Sequence, residues 1–167
     1  YDGRGRVERI TDQTDGSITA YVYNAAGDPL QVTGPNGVTS DFEYDGTYGR
    51  MVKVSDPLGN HISYAYDDQG NRIEKSLYTP EAERVFHQRF DYQHPTQPGK
   101  LYREINPDDT YTAYDYDAMG NIQSVTDPND RTTVYEYDKK NLLSGVIQPG
   151  DTVTTYAYDA LDNLTSV

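Results

Sequence analysis

Residues 64–72 read YAYDDQGNR, and residues 156–164 read YAYDALDNL, nearly the same phrase with its glycine gone. In each, two tyrosines flank a small residue and an aspartate follows. A spacing of two puts both rings on one face of an extended strand. Four residues past the second tyrosine stands Gly70 in one copy and Asp162 in the other. Glycine adopts positive φ freely, and Asn and Asp tolerate it better than other side chains. The shared position therefore asks for a left-handed backbone, and the aspartate before it suits an Asx-type turn.

The phrase recurs along the whole chain. Register tyrosines fall at Tyr1, Tyr23, Tyr44, Tyr66, Tyr92, Tyr116, Tyr137 and Tyr158, at intervals of 22, 21, 22, 26, 24, 21 and 21 residues. Two positions before each one after the first stands another aromatic: Tyr21, Phe42, Tyr64, Phe90, Tyr114, Tyr135 and Tyr156. The turn position is filled by Gly5, Gly27, Gly49, Gly70, Gly120, Asn141 and Asp162, while the fifth unit stretches its turn and uses Pro98-Gly99. Half a unit later comes a second turn, as in GPNG at 34–37, DPLG at 56–59, NPDD at 106–109 and DPND at 127–130. Proline presets φ there, and Gly, Asn or Asp serves a later position. Between the turns, apolar residues three apart (Val7 and Ile10, Ile122 and Val125) break strict alternation and predict a bulge or a late strand start.

Two strands of about six residues and two turns of about four make roughly twenty residues per unit. The pattern predicts an all-β fold: one antiparallel meander of about seven hairpins, a single repeat array over residues 1–167. Equivalent aromatics are expected to form a ladder that takes the place of a globular core, with stability nearly additive between neighbouring units.

Composition narrows the function. Net charge is −13, with 14 Lys and Arg against 27 Asp and Glu, which argues against nucleic acid and against an anionic membrane surface. No apolar run has the length of a membrane span. Cysteine is absent, so no disulfide framework or thiolate zinc site can form. The chain opens on Tyr1 in mid-phrase, which suggests a piece of something longer.

Candidate chemistry is sparse. His87, Arg89 and Asp91 share a strand face in HQRFDYQH, but a solvated strand explains them. The remaining histidines are His61 and His94. Turn acids such as Asp67-Asp68, Asp108-Asp109 and Asp127 with Asp130 supply oxygen ligands of the kind Ca²⁺ takes, yet no calcium loop pattern is present. No nucleophile elbow, phosphate loop or zincin helix occurs. The expectation is a non-enzymatic protein without cofactor or metal. Tyrosine faces can stack on sugars, so an extracellular adhesion or carbohydrate-binding module is the alternative function.

The phrases YDGRGRV (1–7), YAYDDQGNR (64–72) and YDYDAMGNI (114–122) resemble the YD repeats of Rhs polymorphic toxins, of the B and C components of ABC toxin complexes, of wall-associated proteins and of teneurins. The resemblance covers essentially all 167 residues. It implies a curved strip of a larger hollow β-shell that encloses a toxic C-terminal polypeptide in a secreted or surface bacterial protein. The implied partners are the rest of the shell and that polypeptide, with edge-to-edge self-association of the isolated strip. Rhs cores end in an aspartate-proline-x-glycine cleavage segment set in glycine-rich sequence. Here Asp56-Pro57-Leu58-Gly59 matches the tetrapeptide alone and leads into another repeat, so it reads as an ordinary turn.

Overall fold

The computed structural model describes residues 1–167, and its regular structure is all strand. It divides into two compact units, residues 1–87 and 88–167. The first holds β1 (Arg9–Thr11), β2 (Ile18–Tyr23), β3 (Pro29–Thr33), β4 (Thr39–Tyr44), β5 (Met51–Ser55), β6 (His61–Tyr66), β7 (Arg72–Tyr78) and the start of β8 (Arg84–Asp91). The second runs from the end of β8 through β9 (Arg103–Ile105), β10 (Tyr111–Tyr116), β11 (Ile122–Thr126), β12 (Thr132–Tyr137), β13 (Leu143–Gln148) and β14 (Thr152–Thr155). Strand order follows chain order throughout, and the pairs are antiparallel. After β14 the ladder breaks at Tyr156, and β15 (Ala157–Tyr158) and β16 (Leu164–Ser166) form a separate two-stranded ribbon.

One turn geometry serves both halves of the repeat. The Asp67 N–H donates to Asn71 O at 2.9 Å while the Gly70 N–H donates to Asp67 O at 3.0 Å. In the proline-bearing turn, Asp56 N–H donates to Asn60 O at 3.0 Å and Gly59 N–H to Asp56 O at 3.1 Å. Each is a type I turn closed by a left-handed residue, the three-residue hairpin loop whose twist suits the flanking strands. The left-handed position carries φ 90° at Gly70, 67° at Asn141 and 65° at Asp162. A further turn of this kind, Thr79 to Glu83, gave no sequence signal beyond Pro80, because Ala82 occupies the left-handed position at φ 62°.

The interrupted alternation is a bulge. Tyr116 faces Ile122, Asp115 faces Ser124 and Tyr114 faces Val125, so Gln123 is the extra residue. Ile122 and Val125 consequently both lie opposite ring-bearing residues, although they are three apart in sequence. The register shifts in the same way beside Tyr23, Tyr44, Tyr66, Tyr137 and Tyr158.

This register also revises the expected ladder. The direct cross-strand partners of Tyr21, Phe42, Tyr114 and Tyr135 are Val32, Val54, Val125 and Val146, not aromatics. Equivalent rings sit in alternate strands, and two strand spacings amount to about 10 Å. In these four units the ring faces a valine, whereas Tyr64 faces Lys75 and Phe90 faces Glu104.

No apolar side chain is fully buried. The buried residues are Ser76, His94 and Gly145. A sheet with one apolar face ordinarily covers it with a second layer, and neither compact unit contains one.

The repeat face and its clasps as candidate functional surface

Half-buried Tyr21 and Tyr23 flank Val22, which is 52% exposed. Their rings stack with centroids 6.2 Å apart and planes 14° from parallel, so both lie on one face. Phe42 and Tyr44 flank exposed Glu43, Tyr114 and Tyr116 flank exposed Asp115, and Tyr135 and Tyr137 flank exposed Glu136. Tyr64 and Tyr66 flank half-buried Ala65. Phe90 pairs with Glu104, while the Tyr92 carbonyl accepts the Gly99 N–H. Tyr156 lies at the break in the ladder, and its N–H donates to Ser144 O. Tyr158 lies on the terminal ribbon.

What ties one unit to the next is the tyrosine hydroxyl. Tyr44 donates to Pro29 O, Tyr66 to Met51 O and Tyr116 to Leu101 O, each at 2.8 Å. Tyr23, Tyr137 and Tyr158 likewise donate to Val7 O, Ile122 O and Leu143 O. Pro29, Met51, Ile122 and Leu143 are the residues opposite the previous unit's register tyrosine, immediately beside its bulge. A bulge disrupts the ladder locally, and the next tyrosine brings a donor to that disruption. This explains why the register ring is always tyrosine, whereas phenylalanine is accepted two positions earlier at Phe42 and Phe90.

Cations lie over several of these rings: Arg6 over Tyr23 at 4.7 Å, Arg50 over Tyr66 at 5.0 Å and Lys100 over Tyr116 at 5.3 Å. The same side chains reach the following turn. Arg6 Nη1 donates to Asn24 O at 2.9 Å, Arg50 Nη1 to Asp67 O at 3.1 Å, and Lys100 Nζ to Gly120 O at 3.1 Å. Arg6 and Arg50 directly follow a left-handed residue, and Asn71, Asn121 and Asn163 occupy the equivalent place. The sequence reading overlooked this position; its signal was an Arg or Asn recurring just after the turn glycine.

Several turn aspartates are held as carboxylates by the donors around them. Asp117 Oδ1 accepts the N–H groups of Met119 and Asn121, both at 2.9 Å, and its Oδ2 accepts Asn121 Nδ2–H at 2.8 Å. The backbone N–H of Arg6 foremost, then that of Arg4 and the Arg6 side chain, bring Asp2 down to about 2. The Arg50 side chain, followed by the N–H groups of Tyr48 and Arg50, does the same for Asp45, to about 2. Side-chain donors, Asn60, Asn71, Asn121, Arg131 and Asn163 respectively, are the main cause of the lowering at Asp56, Asp67, Asp117, Asp127 and Asp159. Between about pH 2 and pH 4 the unfolded chain therefore binds more protons than the folded one. Stability is expected to be level from these groups above about pH 5 and to fall as pH drops from about 4 to about 2. Thermal melts across that range check this, and an unchanged melting temperature down to pH 2 would contradict it.

The remaining candidates do not converge. His87 Nε2 lies 3.2 Å from Glu74 Oε1 without hydrogen-bond geometry, and Arg89 pairs with Asp109. His61 stacks on Tyr78 at 4.7 Å. No three acids and histidines gather closely enough to hold a metal ion. Asp56 caps its own turn, Oδ1 accepting the N–H groups of Leu58 and Asn60, as its counterparts do. Burial, and then the charge of Glu104, push Tyr114 up to about 12, so its hydroxyl remains a donor to Glu104.

The chain matches known proteins along its whole length. A family model for the teneurin YD-shell matches residues 1–142, and one for the RHS repeat matches residues 137–167. The chain belongs to the teneurin YD-shell family. Among curated proteins, this YD-shell chain is similar to the double-stranded DNA deaminase toxin A of Burkholderia cenocepacia (strain H111). The two are 26% identical over an alignment covering 73% of this chain and 9% of the relative. Among solved structures it resembles the TcdB2-TccC3-TEV crystal structure, with TM-score 0.73 and 17% identity, over 95% of this chain and 10% of that one. The TcdB2-TccC3-Cdc42 structure gives 0.62 and 16%, over 92% and 10%. At these identities the likeness is one of fold. This YD-shell segment spans about a tenth of the length of each of these proteins.

Proposed function

We propose that this YD-shell strip is a structural segment of a larger β-shell in a secreted or surface bacterial protein of the Rhs or toxin-complex kind, and that the shell encloses a toxic polypeptide. The observation that carries this reading is a sheet whose rings and valines share a face in both compact units while no apolar side chain is buried. Such a face is stabilised by being part of a larger enclosure. A concavity of about 450 Å³ in the first compact unit, walled by Val54, Ile62, Leu77 and Val85, belongs to this uncovered apolar surface. The role proposed is protective, and the repeat residues serve it by holding strands in register.

The adhesion or glycan-binding alternative gains no support from the tyrosines. The hydroxyls of Tyr23, Tyr66 and Tyr116 are engaged by carbonyls, and a cation already sits over each of these rings.

Limited proteolysis of the intact protein that carries this strip tests the reading. The enclosed polypeptide is expected to resist protease in place and to be digested once it is supplied free of the shell. Equal digestion in both states would overturn it. The 167-residue strip alone exposes unpaired backbone at β1, which favours edge pairing with a second copy. A persistent monomer by light scattering would count against that part.

A further inference from the structure

We propose that residues 92–102 form a proton-sensitive latch, held shut by the unprotonated Nδ1 of His94 and released when that nitrogen takes up a proton. The inference stands on the fifth unit's own geometry and does not depend on the shell reading.

Turns after the register tyrosine are otherwise capped by an Asx oxygen. Asn24, Asp67, Asp117, Asp138 and Asp159 each accept two backbone N–H groups through Oδ1. The fifth unit has Gln93 at that place. Its longer turn is capped instead by His94, whose Nδ1 accepts the N–H of Thr96 at 3.3 Å and that of Gln97 at 3.2 Å, with the Thr96 hydroxyl also 3.3 Å away. The His94 side chain is 2% exposed, with its ring edge-on to Tyr102 and Tyr116 at 5.3 and 5.5 Å. Two donors aimed at Nδ1 require its lone pair, so the ring hydrogen sits on Nε2 and is donated to Asp115 Oδ1 at 3.0 Å.

The groups facing this ring are few. From β10 come the Asp115 carboxylate and Tyr116, and from the segment before β9 comes Tyr102. Lys100 Nζ lies over the Tyr116 ring at 5.3 Å, and Asp91 at the end of β8 accepts the Gln93 N–H at 2.8 Å. Asp115 attracts an imidazolium, but it does so through Nε2, which already carries a hydrogen. A second proton can only go to Nδ1, where it faces two backbone donors and abolishes both caps. The latch then opens, because Thr96 Oγ1 offers the new Nδ1–H one acceptor but the N–H groups of Thr96 and Gln97 are both left without theirs. An aspartate-capped turn loses its acceptor only when the carboxylate is protonated, and Asp117 is held below its ordinary range by Asn121. Histidine side chains ordinarily titrate near 6.5 and aspartates near 3.9. One proton on Nδ1 thus removes both caps of this turn, whereas its counterpart at Asp117 keeps its carboxylate acceptor.

Amide hydrogen exchange on the 167-residue chain between pH 8 and pH 5, corrected for intrinsic rates, tests the latch. Protection at Thr96 and Gln97 relative to Met119 and Asn121 is expected to fall by up to about tenfold per pH unit, the limit for one linked proton. In His94→Asn, whose amide oxygen takes the place of Nδ1 and does not titrate, the ratio is expected to stay flat. A flat ratio in the unsubstituted chain, or an equal fall in His94→Asn, would overturn the proposal. Should the variant fail to fold, the ratio in the unsubstituted chain alone decides.

Discussion

Replacing Tyr66 by alanine is expected to destabilise the first compact unit by about 2–3 kcal/mol, while Tyr66→Phe costs about 1 kcal/mol. The phenylalanine change removes only the hydroxyl that donates to Met51 O at 2.8 Å. It leaves that carbonyl short of a partner beside the bulge opposite Tyr44. Alanine also removes a half-buried ring and the surface on which Arg50 rests at 5.0 Å. Because the hydroxyl clasps the preceding unit, the loss should spread to β5 as well as β6. Urea unfolding of the three chains provides the measurement, with hydrogen exchange at Val52 and Lys53 as the local readout. If Tyr66→Phe were as damaging as Tyr66→Ala, the ring would contribute nothing of its own. If Tyr66→Phe were silent, the clasp would be irrelevant.

Gly70→Val is expected to cost about 2 kcal/mol and Gly70→Asn less than about 1 kcal/mol. Gly70 sits at φ 90°, and a Cβ there would meet only Arg50 Nη1, at 3.9 Å. Space is therefore not the constraint; backbone conformation is. A β-branched residue is a steric outlier at positive φ, whereas asparagine and aspartate tolerate it. The chain itself makes both replacements, at Asn141 with φ 67° and at Asp162 with φ 65°. Equal midpoints for the Val and Asn variants in urea would show that handedness is not what the position selects.

Much of the architecture was legible from sequence because it is local and repeated. Strand direction, the face shared by Tyr64 and Tyr66, and the left-handed requirement at Gly70 follow from the period of a strand and the sterics of one residue. A period near 21 then forces a meander. The bulge was visible as Ile122 and Val125 standing three apart, though only as a disturbance without a location. The turn at Thr79 to Glu83 was missed, since Ala82 is a residue that turn chemistry does not favour there.

The clasps were not legible, because they join residues about 15 positions apart across a bulge whose register must be known first. His94 was read as one histidine among three until the folded turn showed two backbone donors converging on its Nδ1.

The sequence by itself determined that this is a repeating antiparallel ribbon with one aromatic face, since both properties arise from spacing within a single unit. The tertiary structure alone decided how units are fastened and which turn is capped by a histidine rather than an Asx oxygen. Those features depend on which atoms from different units come within hydrogen-bond reach. That proximity is set by strand register and bulges, and no single unit encodes it.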